Sequence, residues 1–166
     1  MRFSTIGNHE LDRNLDYLRH MMDGTCEGRP DGDLCFTDST GERFAGADFD
    51  YYSANVVDGA TGELVVKPYH VERVDDGHGG TLPVGFIHAT TSGTPNEGLS
   101  YWPADQLRFL PEAAEINRYA AELQAQGVQA VVAVVHEGFA QVGDFYNDCT
   151  NPSGPMVEMN KQISPA

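Results

Sequence analysis

The sequence predicts a protein of the α/β class, and the strongest observations come from residues 112–136. Residues 112–126 carry apolar side chains at the spacing of one helix face: Ala113, Ile116, Ala120 and Leu123. Gly127 ends this helix, and residues 128–135 are apolar apart from Gln129, typical of a buried strand in a parallel or mixed sheet. Together they form an α/β unit with His136 at the carboxyl end of the strand, where functional loops commonly lie.

Two shorter elements are predicted at the start of the chain. Residues 3–6 read as a strand that runs into a turn at Gly7. Residues 12–22 predict a helix, because Leu15, Leu18 and Met22 fall on one face.

The middle of the chain predicts strands separated by turns. Residues 51–57 and 64–74 flank a turn with two glycines, which favours a hairpin over residues 51–74. Residues 75–80 form a charged turn before a third strand at residues 82–90, and residues 155–163 predict a final helix.

Size and charge bound the function. The 166 residues, with 40% hydrophobic and 10% aromatic content, suit one domain with a packed core. The net charge of -15 predicts no nucleic-acid partner and no anionic membrane partner, because both would be repelled. No apolar run approaches the roughly 18 residues of a membrane-spanning helix. The first residues show no apolar stretch of signal-peptide length, so we expect no signal peptide in this chain.

Three cysteines leave two interpretations open. Cys26 and Cys35 bracket a loop rich in Gly and Asp that a short disulfide could close, whereas Cys149 has no obvious partner. All three could instead be reduced thiols of a cytosolic protein. We favour a bridge between Cys26 and Cys35 in an exported protein.

The candidate site residues are polar groups at strand ends. Gly7-Asn8-His9-Glu10 follows the first predicted strand, and Asp12 comes shortly after. The amide oxygen of Asn8 and the imidazole of His136 can both bind a divalent cation. The alternatives are a turn role for Asn8 and a backbone-bonded strand-end role for His136.

These motifs resemble those of the calcineurin-like metallophosphoesterases, in the 5'-nucleotidase branch. The resemblance covers the Gly-Asn-His-Glu block and the Val-Val-His-Glu-Gly setting of residues 134–138. It implies that Asn8 and His136 are ligands of one metal ion. It also implies that His9 lies over the phosphate as a catalytic residue, with Asp12 bonded to its other ring nitrogen. Softer similarities at residues 52–57, 84–91 and 151–155 extend the resemblance over nearly the whole chain.

The resemblance implies a partial metallophosphoesterase-type β-sandwich flanked by helices. No Asp-x-His motif precedes the Gly-Asn-His-Glu block, as it does in a complete site, and the bridging Asp and the Gly-His-x-His motif are also missing from residues 1–166. The triplet Asp76-Gly77-His78 lies instead in the charged turn at residues 75–80. We therefore expect a single partial domain, an internal fragment lacking the family's N-terminal and C-terminal metal-ligand motifs. Zinc, manganese, iron or cobalt would be the metal of the parent protein, and the site is incomplete here.

The expected parent is a secreted or cell-surface bacterial hydrolase of nucleoside monophosphates or related phosphomonoesters. The fragment alone is expected to be inactive, and to oligomerise or exchange strands because sheet edges are left open. The alternative is a non-catalytic binding or interaction module on the same fold. An unrelated acidic α/β domain with chance motifs is a third reading.

Overall fold

The computed structural model describes residues 1–25, 37, 39–96, 106–141, 143 and 150–164. The described strands are β1 (Phe3–Thr5), β2 (Asp50–Tyr52), β3 (Val56–Asp58), β4 (Tyr69–Asp75), β5 (Thr81–Thr90), β6 (Leu107–Phe109), β7 (Ala130–His136), β8 (Ala140–Gln141) and β9 (Pro152–Ser153). The described α-helices are α1 (Leu15–Asp23), α2 (Glu112–Ala125) and α3 (Pro155–Asn160). This mixture of helices and sheets confirms the predicted α/β class.

A mixed sheet of three strands, in the order β4-β5-β7, is the centre of the first layer. Strand β5 pairs antiparallel with β4 and parallel with β7, so that Thr90 lies opposite His136. Helix α2 packs on one face, where Leu123 lies so close to Gly85 that an added Cβ there would be 2.6 Å from its Cδ1. Burial of Ile87, Ala89 and Ile116 between sheet and helix stabilises this layer.

A second core lies under the shorter sheets. Strands β1 and β2 pair in parallel, and β3 pairs antiparallel with β6. The buried residues of this core are Ile6, Leu11, Leu15, Leu18, Val56 and Leu107. Helix α1 begins where the Asn14 side chain accepts from the Tyr17 N–H, and it ends at Gly24 with φ of 69°. Because α1 buries Leu15 and Leu18, the predicted amphipathic helix is confirmed.

The predicted hairpin over residues 51–74 is wrong in extent. Only a tight turn forms, in which the Asp58 N–H donates to Glu63 O and Val57 bridges Leu64. The hairpin of the structure is formed instead by β4 and β5 around the charged turn at residues 75–80. Pro68 has no N–H for a ladder, which explains why the strand begins only at Tyr69.

Strand β7 is less buried than its apolar sequence predicts. Val131 and Val135 pack towards the core of α2, but Val132 is 42% exposed. Within the described part of the chain, no strand pairs with the outer edge of β7. The apolar run is therefore a half-covered edge strand, and the expectation of full burial is wrong for this structure.

Helix α3 ends at Asn160, earlier than the predicted residue 163. No helix among the described residues combines the length and the apolar composition needed to cross a membrane.

Asn55 joins the ends of three strands through buried hydrogen bonds. Its Nδ2 donates to the carbonyls of Thr90 and Leu110 at 2.7 and 3.0 Å, and its Oδ1 accepts from the Thr90 N–H at 2.8 Å. The Thr90 hydroxyl donates onward to Ile6 O at 2.7 Å. A buried polar group must keep such partners because water cannot replace them. The network therefore sets where β1 and β5 end relative to each other.

His70 and His88 lie with aromatic rings between the two layers. His88 is fully buried and its Nδ1 lies 2.7 Å from the Thr5 hydroxyl, while its Nε2 has no hydrogen-bond partner among the described residues. Burial, and secondarily repulsion from His70, lowers the pKa of His88 to about 4. Both rings contact Tyr52, and in addition His70 contacts Phe86 and His88 contacts Phe3. Apolar packing therefore dominates the surroundings of both rings.

We predict that Asn55→Ala lowers the free energy of unfolding by about 3 kcal/mol, because two polar groups of Thr90 and one of Leu110 lose their buried partner. Asn117→Ala is the matched control, since Asn117 also makes two hydrogen bonds but in an exposed setting. Urea unfolding measures both variants. Equal losses for the two would contradict the role of the buried network.

We predict that stability falls as the pH is lowered from 6.5 to 4. Well above pH 6.5 the His88 ring is neutral in both the folded and the unfolded chain. Below pH 6.5 the ring binds a proton in the unfolded chain, whereas in the folded chain it stays neutral until about pH 4. The linked loss reaches about 3 kcal/mol at pH 4, and burial of His70, whose pKa is also lowered, acts in the same direction. Urea unfolding at several pH values measures this slope, which His88→Gln should reduce. If the dependence of stability on pH is unchanged in that variant, His88 is not its cause.

Candidate active site

Asn8 and His136 meet at the carboxyl ends of β1 and β7. The Asn8 Oδ1 and the His136 Nε2 lie 2.8 Å apart, although 128 positions separate the two residues in the chain. An amide oxygen only accepts hydrogen bonds, so this contact requires a proton on the Nε2 of the ring. The Thr90 hydroxyl bond to Ile6 O and the pairing of Thr90 with His136 bring these strand ends together.

Gly7 allows this approach because it has no side chain. A Cβ at residue 7 would lie 2.8 Å from the His136 Cε1 and 2.9 Å from its Nδ1. Contacts that short do not occur in real proteins, so any larger residue would displace the imidazole. The sequence indicated only a turn at Gly7, since the contact with His136 arises from tertiary packing.

His9 and Asp12 form a second polar pair next to Asn8. A turn of 3-10 helix over His9–Leu11 brings the Asp12 carboxylate to 2.9 Å and 3.1 Å from the His9 Nδ1. The Asp12 side chain is 47% exposed and that of His9 75%, so water screens the pair. The contact holds the ring with its Nε2 directed away from Asp12.

Glu10 folds back on the start of the turn. Its Oε2 accepts from the Gly7 N–H at 2.7 Å, in the manner of a helix cap.

A cavity of about 380 Å³ opens beside Asn8 and His136. Thr91, Glu137 and Gly138 also line it, at the carboxyl ends of β5 and β7. A cavity at this edge of a sheet is the usual place for a ligand in α/β proteins.

The donor set fits a divalent metal ion in part. The Asn8 oxygen and the His136 nitrogen are ligand atoms of the right chemistry, and they converge on one cavity. Among the described residues, no group of three or more His, Cys, Asp or Glu side chains could hold a metal. The described residues therefore offer two donor atoms here, fewer than the three or more protein ligands that metal centres generally use.

The other predicted residues lie elsewhere. Cys26 and Cys35, the predicted disulfide, fall outside the described residues, as does Cys149. The remaining described histidines, which matched no motif, lie in the two cores or on the surface, away from this cavity: His20, His70, His78 and His88.

Comparison with curated proteins identifies bacterial relatives. No protein-family model matches the sequence. The chain is 33% identical over 136 residues to a cell wall protein of Listeria monocytogenes, covering 80% of this chain. It is 28% identical over 144 residues to endonuclease YhcR of Bacillus subtilis, covering 84% of this chain. It is also 28% identical over 143 residues to a 2',3'-cyclic-nucleotide 2'-phosphodiesterase/3'-nucleotidase of Yersinia enterocolitica, covering 81% of this chain. The chain spans only 16%, 10% and 18% of the lengths of these relatives, respectively.

Solved structures share the fold. The calcineurin-like phosphoesterase YfkN of Bacillus subtilis superposes with a TM-score of 0.60 at 21% identity, over 86% of this chain and 37% of its own. A 5'-nucleotidase precursor of Thermus thermophilus superposes with a TM-score of 0.55 at 26% identity, over 81% of this chain and 21% of its own. Together with the curated relatives, these matches confirm the resemblance drawn from the motifs: the structural neighbours of the chain are calcineurin-like phosphoesterases and 5'-nucleotidases.

Proposed function

We propose that this chain carries part of the active site of a metal-dependent phosphomonoester hydrolase. The observation that carries the proposal is the convergence of Asn8 Oδ1 and His136 Nε2 within 2.8 Å. The known relatives are phosphoesterases and nucleotidases, which supports a phosphoester hydrolase family.

Asn8 and His136 would hold one divalent ion, of the zinc, manganese, iron or cobalt class. Calcineurin-like phosphoesterases generally use divalent metals. A bound ion would act as a Lewis acid on the phosphate ester. For the imidazole to become a ligand, the proton on the His136 Nε2 must leave and the contact with Asn8 must open.

His9 and Asp12 would act on the substrate rather than on the metal. Asp12 accepts the His9 Nδ1–H and so favours the protonated ring. The His9 Nε2–H can then stabilise negative charge on a phosphate oxygen or donate its proton to the leaving oxygen.

The substrate of the whole protein would be a nucleoside monophosphate or a related phosphomonoester. Relatives of this family act on nucleotides. One relative is an endonuclease, but the net charge of -15 opposes binding to a nucleic-acid strand, so we favour small nucleotides for this chain. The similarity to a cell wall protein supports a secreted or cell-surface parent.

The chain alone would be inactive, because two ligands cannot hold a dinuclear centre. The alternative is a non-catalytic binding module. Such a module would not need the pairing of His9 with Asp12.

We predict weak binding of Mn²⁺ or Zn²⁺ by the isolated chain and no hydrolysis of p-nitrophenyl phosphate above background. Asn8→Ala and His136→Ala should each weaken calorimetric metal binding by at least about tenfold, because each removes a ligand atom. His9→Ala is the control and should keep the wild-type affinity. Unchanged affinity in the first two variants would remove the ligand assignment. Tight binding with turnover would contradict inactivity.

The open edge of β7 would make the isolated chain self-associate. Residues 130–135 carry no charge and no proline, whereas the β4 edge carries Glu72 and Arg73. Uncharged edges pair with other strands more readily than charged ones.

We predict that Val132→Lys shifts the chain towards monomer, because a charge on the β7 edge opposes strand pairing. Val71→Lys is the matched control: Val71 is 41% exposed, close to the 42% of Val132, but lies on the charged β4 edge. Size-exclusion chromatography with light scattering reads the mass. A monomeric wild-type chain at all concentrations would refute association through this edge.

A further inference from the structure

We propose that Glu10 is a positioning residue for Asn8 and His136, acting through the backbone of Gly7. The inference rests on the proposed function, since it concerns the same pair of ligand atoms. It goes beyond the capping of a turn, because it assigns Glu10 an effect on a residue 126 positions away.

The first link is the hydrogen bond from the Gly7 N–H to the Glu10 Oε2, at 2.7 Å. Gly7 is buried and Glu10 is half-buried, so the bond is shielded from water. A bond to an ionised carboxylate is shorter and stronger than one between neutral groups. Glu10 therefore holds the peptide that directly precedes Asn8.

The second link is the packing around the Cα of Gly7. A Cβ placed there would be 2.8 Å from the Glu10 Oε2 and 2.8 Å from the His136 Cε1. The Glu10 carboxylate and the His136 imidazole therefore both border the space that a side chain of residue 7 would fill. A shift of Gly7 would move the surface against which the His136 ring lies.

The third link is the position of Asn8 in the same turn. Its carbonyl accepts from the Leu11 N–H at 3.2 Å, and its side chain meets His136. Glu10 lies within this turn and bonds back to its start. The backbone that carries one ligand and the ring of the other are thus restrained by one carboxylate.

The neighbouring strand supports this placement of Glu10. The negative charge of Glu10, after burial, raises the pKa of Tyr51 in β2. The Glu10 carboxylate therefore lies close enough to Tyr51 to act on it electrostatically.

The test compares Glu10→Ala and Glu10→Gln with Glu63→Ala, an exposed acidic residue away from the site. Amide hydrogen exchange of Gly7 reports the proposed bond, and exchange of Ile6, whose N–H donates to Tyr52 O at 3.1 Å, reports the strand beside it. The ¹⁵N chemical shift of the His136 Nε2 reports the position of the ring. None of these readouts needs a metal ion, so the failure of metal binding in the wild type would count against the proposed function alone.

In Glu10→Ala we expect Gly7 exchange to be about tenfold faster, Ile6 exchange to be unchanged, and the His136 Nε2 signal to shift. Glu10→Gln should give the same changes at smaller size, because its amide oxygen still accepts from the Gly7 N–H. Glu63→Ala should change none of the three.

Faster Gly7 exchange with an unchanged His136 signal would overturn the proposal and reduce Glu10 to a turn cap. If Glu10→Ala speeds the amide exchange of Gly7 and Ile6 equally, the substitution has opened the strand. The Glu10→Gln variant then decides whether Glu10 positions His136. A His136 shift in Glu10→Gln, with Ile6 still protected, supports positioning, and an unshifted signal overturns it.

Discussion

The buried amide of Asn55 is the contact on which the geometry of this site depends. It bonds the end of β5 through both Thr90 backbone groups and the end of β6 through Leu110 O. Thr90 in turn donates from its hydroxyl to Ile6 O, one residue before Gly7. Since Thr90 also lies opposite His136 in the sheet, the same few bonds set the positions of both candidate ligands. Polar groups that are buried this completely tolerate little displacement, because any shift leaves a donor or acceptor without a partner. The core therefore fixes the strand ends from which the site projects.

Close packing at Gly7 lets the two candidate ligand atoms, Asn8 Oδ1 and His136 Nε2, come together. The bare Cα allows the His136 ring to lie against the backbone, with its Nε2 directed at the Asn8 Oδ1. His9 and Asp12 stand on the exposed side of the same turn, so one proposed metal ligand, Asn8, and the groups proposed to act on substrate come from one short segment. Two ligands give a cation a place to bind but leave most of its coordination to other groups.

Strand β7 shows why an apolar sequence does not by itself establish burial. Its valines match a strand covered on both faces, yet only one face packs towards α2. The predicted hairpin over residues 51–74 failed for a related reason. Residues 53–55 cross between sheets, with the Ser53 N–H donating to Lys67 O and the Ala54 N–H to His88 O. Alternation of apolar and polar side chains along a segment indicates which side chains face a core. It does not indicate which other strand pairs with that segment.

The sequence by itself determined the main helices and the resemblance to a known family. The spacing of Ala113, Ile116 and Leu123 was enough for α2, and the short motif at Gly7 to Asp12 was enough to indicate the family, because both patterns act within a few residues. Tertiary structure alone decided that His136 meets Asn8, that Gly7 must lack a side chain, and that β7 keeps one open edge. These features depend on contacts between segments as much as 128 residues apart. Their free energies come from packing and from buried hydrogen bonds, which exist only after the strands have paired.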